Sequence, residues 1–184
     1  MKNNISSLVA LITGLTASVA TLQAADPTVI DAIKSTGGLV LPHPGEGGNW
    51  EVEFHLRGRE LTDAGLTHVA DLKDVISLNL RDTKITSAGL THLKGLTKLR
   101  RLHLERTKIG DEGIGNLAGL SNLVYLNLYG TKITDKSLVQ LAGLKNLKQL
   151  YVWQTEVTDD GVDKLKKALP GLKVVRGVDL NKVV

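Results

Sequence analysis

The sequence predicts a right-handed α/β solenoid, in which short repeated units stack along one axis and each unit supplies a strand and a short helix. Three observations predict this fold: a constant period, a two-residue alternation and a three-residue spacing within each period. The step between Leu61 and Ile85 is 85 − 61 = 24 residues, and it recurs along most of the 184-residue chain. One such unit cannot bury its apolar side alone, so this period indicates stacked units. The aligned columns are Leu61, Ile85, Ile109, Ile133 and Val157; Leu78, Leu102, Leu126 and Leu150; Leu80, Leu104, Leu128 and Val152; and Thr83, Thr107, Thr131 and Thr155.

Each period holds two hydrophobic patterns. The alternation of Leu102 and Leu104 with a polar residue represents the first, and it predicts a strand that is buried on one face. The spacing of Leu90, Leu93 and Leu96 represents the second, and it predicts a short helix that is buried on one side. The chain should therefore alternate strands and helices.

Polar residues mark the turns between these elements. Thr-Asp or Thr-Ser pairs at 62–63, 86–87, 134–135 and 158–159 precede helices and offer oxygens for N-caps, whereas the third copy must rely on Asp111 alone. The threonine column follows the strands, so its hydroxyls are expected to satisfy backbone groups in the turn of the neighbouring copy. We prefer this structural interpretation to a hydroxyl-lined binding site.

The amino terminus resembles a secretory signal peptide. Lys2 precedes an uncharged, mostly apolar run over residues 5–20, and the small residues Ala24 and Ala25 follow it. The run is shorter than the roughly 20 apolar residues that a membrane-spanning helix needs. We therefore expect residues 1–25 to direct export to the periplasm or out of the cell and then to be removed, without stable membrane insertion.

Residues 26–50 are expected to cap the first repeat. An open solenoid end would otherwise expose its core and an unpaired strand edge. A helix is predicted over 26–38 with Asp26 as its N-cap, and a short edge strand is predicted over 39–41.

The first and last copies depart from the others. Counting back 24 residues from the second copy places Phe54 and Leu56 in the two leucine columns of the first strand. The last copy has a longer helix and a final strand over 172–175 that is displaced by one residue. The repeat domain is thus predicted over 51–175, and a C-terminal tail over 176–184.

Composition narrows the possible functions. Apolar residues make up 42% of the chain and aromatic residues only 3%, so the core must be aliphatic. A net charge of +4 is too small an excess to indicate a nucleic-acid partner, and none is expected. The absence of cysteine excludes disulfides, thiolate catalysis and cysteine-bound zinc. No cofactor is expected.

The copies resemble the leucine-rich repeat family. The segment Leu99-Arg-Arg-Leu102-His-Leu104-Glu-Arg-Thr107 is closest to the strand signature, with threonine where the family often has asparagine or cysteine. The following Ile-Thr-Asp-x-Gly-Leu segment is similar to repeats of exported bacterial proteins and of F-box-associated receptors, and the export signal favours the bacterial type. The resemblance covers about residues 50–175 and implies a curved solenoid, with a parallel sheet on the concave face and helices on the convex face. It is unspecific for function.

Residues between the leucines of each strand should point away from the core, onto the concave face. They divide into an aromatic half and an Arg-rich half. Such residue types are enriched at binding hot spots, so we expect ten of them to bind a ligand. The aromatic half, expected to form one contiguous patch, is Tyr125, Tyr129, Tyr151 and Trp153. The Arg-rich half is Arg57, Arg81, Arg101, His103, Glu105 and Arg106.

Two alternatives to recognition remain open at this stage. The bulky residues could merely cover the sheet, and Glu53 and Glu105 could simply pair with arginines across strands. His55 and His103 are expected in one column, but no third metal ligand accompanies them. His103 and Glu105 share a face and would suit acid–base chemistry, but no nucleophile or oxyanion donor is marked. We therefore predict neither a metal site nor catalysis.

The predicted function is an exported binding module that recognises a protein or peptide through its concave face. The alternative is a binder of cell-envelope glycan or peptidoglycan, whose aromatic side chains stack on sugar rings. A protein partner should also need the Arg-rich half, whereas a glycan should need mainly the aromatic half. Substitution of Arg81 and of Trp153 would distinguish the two.

Overall fold

The computed structural model describes residues 26–44 and 48–177, where a seven-stranded sheet follows the order of the chain. β1 lies antiparallel to β2, and all later neighbours are parallel. The predicted signal segment and the tail from residue 178 onward lie outside the described residues. The strands are β1 (Leu39–Pro42), β2 (Trp50–Glu53), β3 (Val75–Asn79), β4 (Arg101–His103), β5 (Tyr125–Asn127), β6 (Gln149–Tyr151) and β7 (Lys173–Val175).

One helix precedes β1, and one or two short helices lie between each pair of consecutive parallel strands. Strands lie about 4.8 Å apart and helices about 8–10 Å apart, so the sheet forms the concave face and the helices form the convex face. None of the helices in the described ranges has the length and apolar character that crossing a bilayer requires. The α-helices are α1 (Pro27–Ser35), α2 (Leu66–Asp71), α3 (Asp111–Ile114), α4 (Asp135–Leu141) and α5 (Asp159–Ala168). Short 3₁₀ helices span Asp63–Gly65, Ser87–Leu93 and Gly115–Leu117.

The 24-residue period sets the register of the parallel strands. Leu78 pairs with Leu102, Leu102 with Leu126, and Leu126 with Leu150. All four leucines are fully buried, as are the apolar residues of the other predicted columns in the central copies. The predicted α/β solenoid with an aliphatic core is confirmed.

The first copy does not follow the period. Val52, rather than Phe54, pairs with Leu78, so these two strands are 78 − 52 = 26 residues apart. Phe54 is fully buried, but Leu56 is 64% exposed. The two extra residues lie in the turn that follows β2. Leu61 follows Phe54 by 61 − 54 = 7 residues, whereas in the next copy Ile85 follows Leu80 by 85 − 80 = 5 residues. The predicted placement of Phe54 and Leu56 was therefore wrong by two residues.

The last strand keeps the period. Val174 pairs with Leu150, and 174 − 150 = 24 residues. The step from Leu147 to Leu172 is 172 − 147 = 25 residues, but Val174 follows Leu172 by two residues where Leu150 follows Leu147 by three, so the extra residue is offset before β7 pairs with β6. The predicted one-residue displacement of this strand was therefore wrong.

The amino-terminal helix and edge strand form as predicted. Asp26 Oδ1 accepts a hydrogen bond from the Thr28 N–H at 2.9 Å, which caps α1. The helix ends at Ser35, a few residues before its predicted limit. Gly37 follows with φ +87°, and a Cβ at Gly37 would lie 2.8 Å from the Gly58 Cα, so the chain reverses close to the first repeat. β1 then covers one edge of β2.

Aspartates connect successive copies through hydrogen bonds. Asp63 Oδ1 accepts from the Thr86 N–H at 2.8 Å and its Oδ2 accepts from the Thr86 hydroxyl at 2.6 Å. Asp135 holds Thr158 in the same way, at 2.8 and 2.6 Å. Each aspartate thus fixes the residue that begins the next helix. This contact is an inter-repeat link that the sequence interpretation missed.

Asp111 belongs to this series and does not cap its own helix, contrary to prediction. Asp111 Oδ1 accepts from the backbone N–H groups of Thr134 and Ser137 at 2.8 and 3.2 Å, and from the Ser137 hydroxyl at 2.5 Å. Its Oδ2 accepts from the Thr134 hydroxyl at 2.7 Å. Burial alone would raise the pKa of Asp111, but hydrogen bonds from Ser137 and Thr134 outweigh it and lower the pKa.

Threonine hydroxyls also make hydrogen bonds within their own copies, at helix starts and at strand ends. Thr86 and Thr134 accept from N–H groups two residues on, as predicted, but Thr62 makes no side-chain cap. In the threonine column, Thr83 donates its hydroxyl to the Leu80 carbonyl at 2.7 Å, and its equivalents do the same three residues back. The expectation that this column bonds to the neighbouring copy was wrong.

Candidate binding surface

The strand register arranges the outward residues of the concave face into three rows. The rows follow from the Cα pairing and from backbone hydrogen bonds that continue past the strand ends. The first row is Glu51, Ser77, Arg101, Tyr125, Gln149 and Lys173. The second row is Glu53, Asn79, His103, Asn127, Tyr151 and Val175. The third row is Arg81, Glu105, Tyr129 and Trp153.

The four predicted aromatic residues come together as two ring pairs. The Tyr125 and Tyr151 ring centroids lie 5.3 Å apart, and those of Tyr129 and Trp153 also lie 5.3 Å apart. Asn127 lies between the pairs: its Nδ2 donates to the Tyr125 hydroxyl at 3.1 Å, and its Oδ1 accepts from the Tyr129 N–H at 3.0 Å. The Asn127 side chain is therefore held between the Tyr125 hydroxyl and the Tyr129 backbone.

Two arginines lie over these tyrosines. The Arg101 guanidinium carbon is 4.7 Å from the Tyr125 ring centroid, and that of Arg106 is 5.6 Å from the Tyr129 centroid. Both distances suit cation–π contacts. Arg101 and Arg106 of the predicted Arg-rich half thus adjoin the aromatic half directly.

Asp82 holds two of the predicted arginines in place. It accepts hydrogen bonds from Arg106 Nε and Nη2, both at 2.6 Å, and from Arg81 Nε at 3.3 Å. The hydrogen bonds from Arg106 lower the pKa of Asp82 against the opposing effect of burial. Asp82 and Arg106 both have positive φ, 60° and 52°, and Gly130 occupies the equivalent turn position at 67°. Gly130 is the residue from which the sequence predicts a left-handed turn at this position. No sequence pattern predicts the ion pair between Asp82 and Arg106.

Arg57 does not join the concave rows. Because β2 is shifted, its outward residues are Glu51 and Glu53, and Arg57 lies in the turn beyond it. There the Arg57 carbonyl approaches Gly37 at the end of α1. The prediction that Arg57 extends the Arg-rich half is wrong, and β2 instead brings carboxylates to this end of the surface.

Each glutamate of the concave face faces a histidine and not an arginine. His43 Nδ1 lies 2.6 Å from Glu51 Oε1, and His103 Nδ1 lies 2.9 Å from Glu105 Oε1. A third pair, His55 and Glu53, has its nitrogen and oxygen 2.7 Å apart but without the angle of a hydrogen bond. The alternative that Glu53 and Glu105 pair with arginines across strands is therefore wrong.

Glu105 and His103 form the most enclosed polar pair of this surface. The Glu105 side chain is only 8% exposed, and its Oε2 has no hydrogen-bond partner. The His103 ring packs 4.7 Å from the Tyr125 ring. Burial, foremost, raises the pKa of the Tyr125 phenol above its ordinary value of 10.0.

Metal binding has no support from these groups. His55 and His103 do not share a row, because Glu53 is the residue of β2 aligned with Asn79 and His103. Within residues 26–44 and 48–177, no three His, Cys, Asp or Glu side chains are placed to hold a metal ion.

Known proteins and structures resemble this chain over part of its length. A family model described as Leucine Rich repeat matches residues 95–118, and no curated protein matches the sequence significantly. The structure of internalin C2 from Listeria monocytogenes is 33% identical, with a TM-score of 0.51, and the match covers 59% of this chain and 44% of that one. This chain therefore spans less than half of that internalin.

Two further structures show the fold alone, because their identity is low. The internalin inlF from Listeria monocytogenes is 24% identical, with a TM-score of 0.52, and the match covers 62% of this chain and 32% of that one. The LRR ectodomain of the receptor kinase SOBIR1 from Arabidopsis thaliana is 17% identical, with a TM-score of 0.55, and the match covers 83% of this chain and 91% of that one. Taken with the 24-residue register, these similarities show that the chain has a leucine-rich repeat fold, and the family model matches a leucine-rich repeat over residues 95–118.

Proposed function

We propose that this protein is a non-catalytic binding module that recognises a protein or peptide through its concave face. The leucine-rich repeat fold is typical of protein–protein interaction modules. One observation carries the proposal: both ring pairs lie on the outward side of the sheet, and an arginine lies over one ring of each pair. Such residues, fixed before binding, supply contact area at a low entropic cost.

The exposure of Trp153 supports recognition over mere coverage of the sheet. Its side chain remains 48% exposed, although the solenoid core is complete without it. An exposed aromatic group of this size favours association unless a ligand covers it. Contact with Tyr129 and the fixed position of Asn127 leave this end of the face rigid, which suits a binding surface.

A glycan ligand is the second candidate, and the exposure of Trp153 is the observation that favours it. Sugar rings stack on an accessible aromatic face. Tyr125 is less suited to this role, because Arg101 lies over its ring while His103 and Tyr151 pack beside it. A surface in which arginines accompany tyrosines fits a protein or peptide better.

We also propose that the protein is exported, and that residues 1–25 are removed as a signal peptide. The charged residue, apolar run and small residues of that segment support this proposal. Mass spectrometry of the protein from its native cells should find a mature chain that begins near Asp26. A chain that retained Lys2 would contradict the proposal.

Capture of a partner on purified variants tests the binding role. Wild-type protein would be immobilised and exposed to a cell-envelope extract, beside a Tyr151→Ala/Trp153→Ala variant and an Arg101→Ala variant. Val139→Ala is the matched control, because Val139 is a 77% exposed apolar residue on the convex α4. Circular dichroism and melting curves would establish that all variants are folded.

The variants distinguish the outcomes. A protein retained by the wild type and the Val139 variant, but lost by the aromatic and Arg101 variants, would support the proposal. A captured carbohydrate that is lost on the Tyr151/Trp153 variant but fully retained on the Arg101 variant would favour the glycan alternative. Loss only on the Val139 variant would place binding on the convex face and refute the proposal.

A further inference from the structure

Three cationic side chains gather at the edge of the concave face where the strands begin. Arg100 and Arg101 from the β4 region and Lys148 from the residue before β6 line an open pocket of about 330 Å³. Tyr125 and Val124 contribute its aromatic and apolar walls. Of these three cations, only Arg101 belongs to the predicted Arg-rich half.

Backbone hydrogen bonds hold the two outer cations on either side of Val124. The Val124 N–H donates to the Arg100 carbonyl at 2.9 Å, and the Lys148 N–H donates to the Val124 carbonyl, also at 2.9 Å. Two strand spacings of about 4.8 Å separate Arg100 from Lys148, so their long side chains can converge on one group above Val124. Arg101 borders the same space from the next row and is steadied by the Tyr125 ring at 4.7 Å.

These cations lack the carboxylate partners that other basic residues of the chain have. Among the described residues, Lys84, Lys98 and Arg106 each form an ion pair, but no acidic group lies within 4 Å of the Arg100, Arg101 or Lys148 nitrogens. All three side chains are exposed. Close like charges repel, so this arrangement gains stability when an anion joins it.

One carboxylate also lines the pocket, at its far end. Glu51 lies on β2, two strands from Arg101, and is engaged by His43 at 2.6 Å. The pocket therefore has a positively charged end near β4 to β6 and a negatively charged end at Glu51 on β2. A ligand with an acidic group should align that group with the positive end.

We propose that this pocket binds the carboxylate of an acidic side chain, Asp or Glu, of the peptide or protein ligand. The inference rests on the proposed function, since the pocket borders the tyrosines of the concave face. Arginine forms bidentate hydrogen bonds with a carboxylate, and Lys148 adds a mobile point charge. The Tyr125 ring and Val124 contact the methylene groups of the bound side chain.

Titration with a short acidic peptide tests the pocket independently of the natural partner. The probe is a blocked tetra-glutamate peptide, added to ¹⁵N-labelled protein, and the readout is the shift of backbone amide signals. The double variant Arg100→Gln/Lys148→Gln removes two positive charges from the pocket. Lys94→Gln/Lys136→Gln removes two exposed positive charges from the helical side, so it matches the change in net charge.

Saturable shifts confined to Val124, Tyr125, Gln149 and their neighbours are expected in the wild type and in the Lys94/Lys136 variant. The Arg100/Lys148 variant should bind the peptide about tenfold or more weakly, as loss of charge-assisted hydrogen bonds predicts. Equal weakening in both variants would show general charge attraction and overturn the proposal. Tighter binding of a sulfated disaccharide than of the peptide at the same signals would overturn the assignment to an acidic side chain.

The natural partner separates a failure of this pocket from a failure of the proposed function. A captured partner that depends on Tyr151 and Trp153 but binds the Arg100/Lys148 variant at full strength would leave the concave binding role intact. It would refute the carboxylate pocket. Loss of the partner on the Arg100/Lys148 variant, with retention on the Lys94/Lys136 variant, supports both.

Discussion

Substitution of Asp111 tests the inter-repeat aspartate links. Its carboxylate receives hydrogen bonds from two backbone N–H groups and two hydroxyls of the following copy, at Thr134 and Ser137. Alanine would leave the Thr134 N–H without its partner, whereas the Ser137 N–H keeps a second acceptor, the Thr134 carbonyl. Losing bonds to a charged acceptor, and leaving the Thr134 N–H and the fully buried Ser137 hydroxyl without that acceptor, should lower the free energy of unfolding by about 2–3 kcal/mol.

The assay is thermal and urea unfolding of Asp111→Ala beside Asp163→Ala, an exposed aspartate on α5. For a chain of this size the predicted loss corresponds to a melting temperature lower by roughly 4–12 °C. The control should change the free energy of unfolding by less than about 0.5 kcal/mol. Equal, small effects of both substitutions would refute the reasoning that Asp111 joins two copies.

The same group predicts a pH dependence. Because the folded pKa of Asp111 lies below its ordinary value of 3.8, the ionised carboxylate stabilises the fold at every pH above that value. The stabilisation should be lost as the pH falls from the ordinary value through the folded pKa. The stability difference between wild type and Asp111→Asn should therefore be constant between pH 5 and pH 7 and shrink in strong acid. A difference that grew on acidification would contradict the sign.

Three further predictions follow from the packing. Leu102→Ala should cost about 2–5 kcal/mol in urea unfolding, because the residue is fully buried between two copies; a much smaller loss would contradict its place in the core. Deleting residues 26–50 should expose the first repeat and cause aggregation in light scattering, and a monomer with an unchanged melting curve would show that no cap is needed there. Gly177→Ala should displace the chain from Trp153, because Gly177 has φ +100° and a Cβ there would lie 2.4 Å from the Trp153 ring. In a Trp50→Phe background, the emission of Trp153 should then shift to longer wavelength. An unchanged spectrum would contradict the contact.

The period predicted the parts of the fold that depend on burial. A slip of one residue would move the leucines of a short strand from the buried face to the exposed face. The 24-residue period therefore predicted the register of Leu78, Leu102, Leu126 and Leu150. The 24-residue count gives the wrong register in the first copy, because two extra residues lie in the turn after β2 and the exposed Leu56 of that turn falls 24 residues before Leu80. The alternation of Val52 and Phe54 matches the observed register of β2, whereas the constant step of 24 residues does not.

The candidate surface was only partly predictable. The outward positions of Tyr125, Tyr151 and Trp153 follow from alternation, whereas ring contacts and ion pairs depend on rotamers that no pattern encodes. Asp82 was missed because its role arises from a left-handed turn that brings it to Arg106, 24 residues later.

The inter-repeat links were missed for a related reason. The Thr-Asp pairs predict caps of their own helices, because N-caps are local contacts. In the solenoid the aspartate of one copy lies beside the threonine of the next, so the contact spans 23 residues. Stacking therefore created a partner that local rules do not consider.

Site-specific photo-crosslinking tests most directly whether the concave face binds the partner. A benzophenone amino acid would replace Tyr151 in one variant and Val139, on the convex face, in the other, and both would be irradiated in the native cells. The account predicts a protein crosslink from position 151 and none from position 139. A protein crosslinked from position 139 and none from position 151 would contradict the central claim that recognition occurs on the concave sheet.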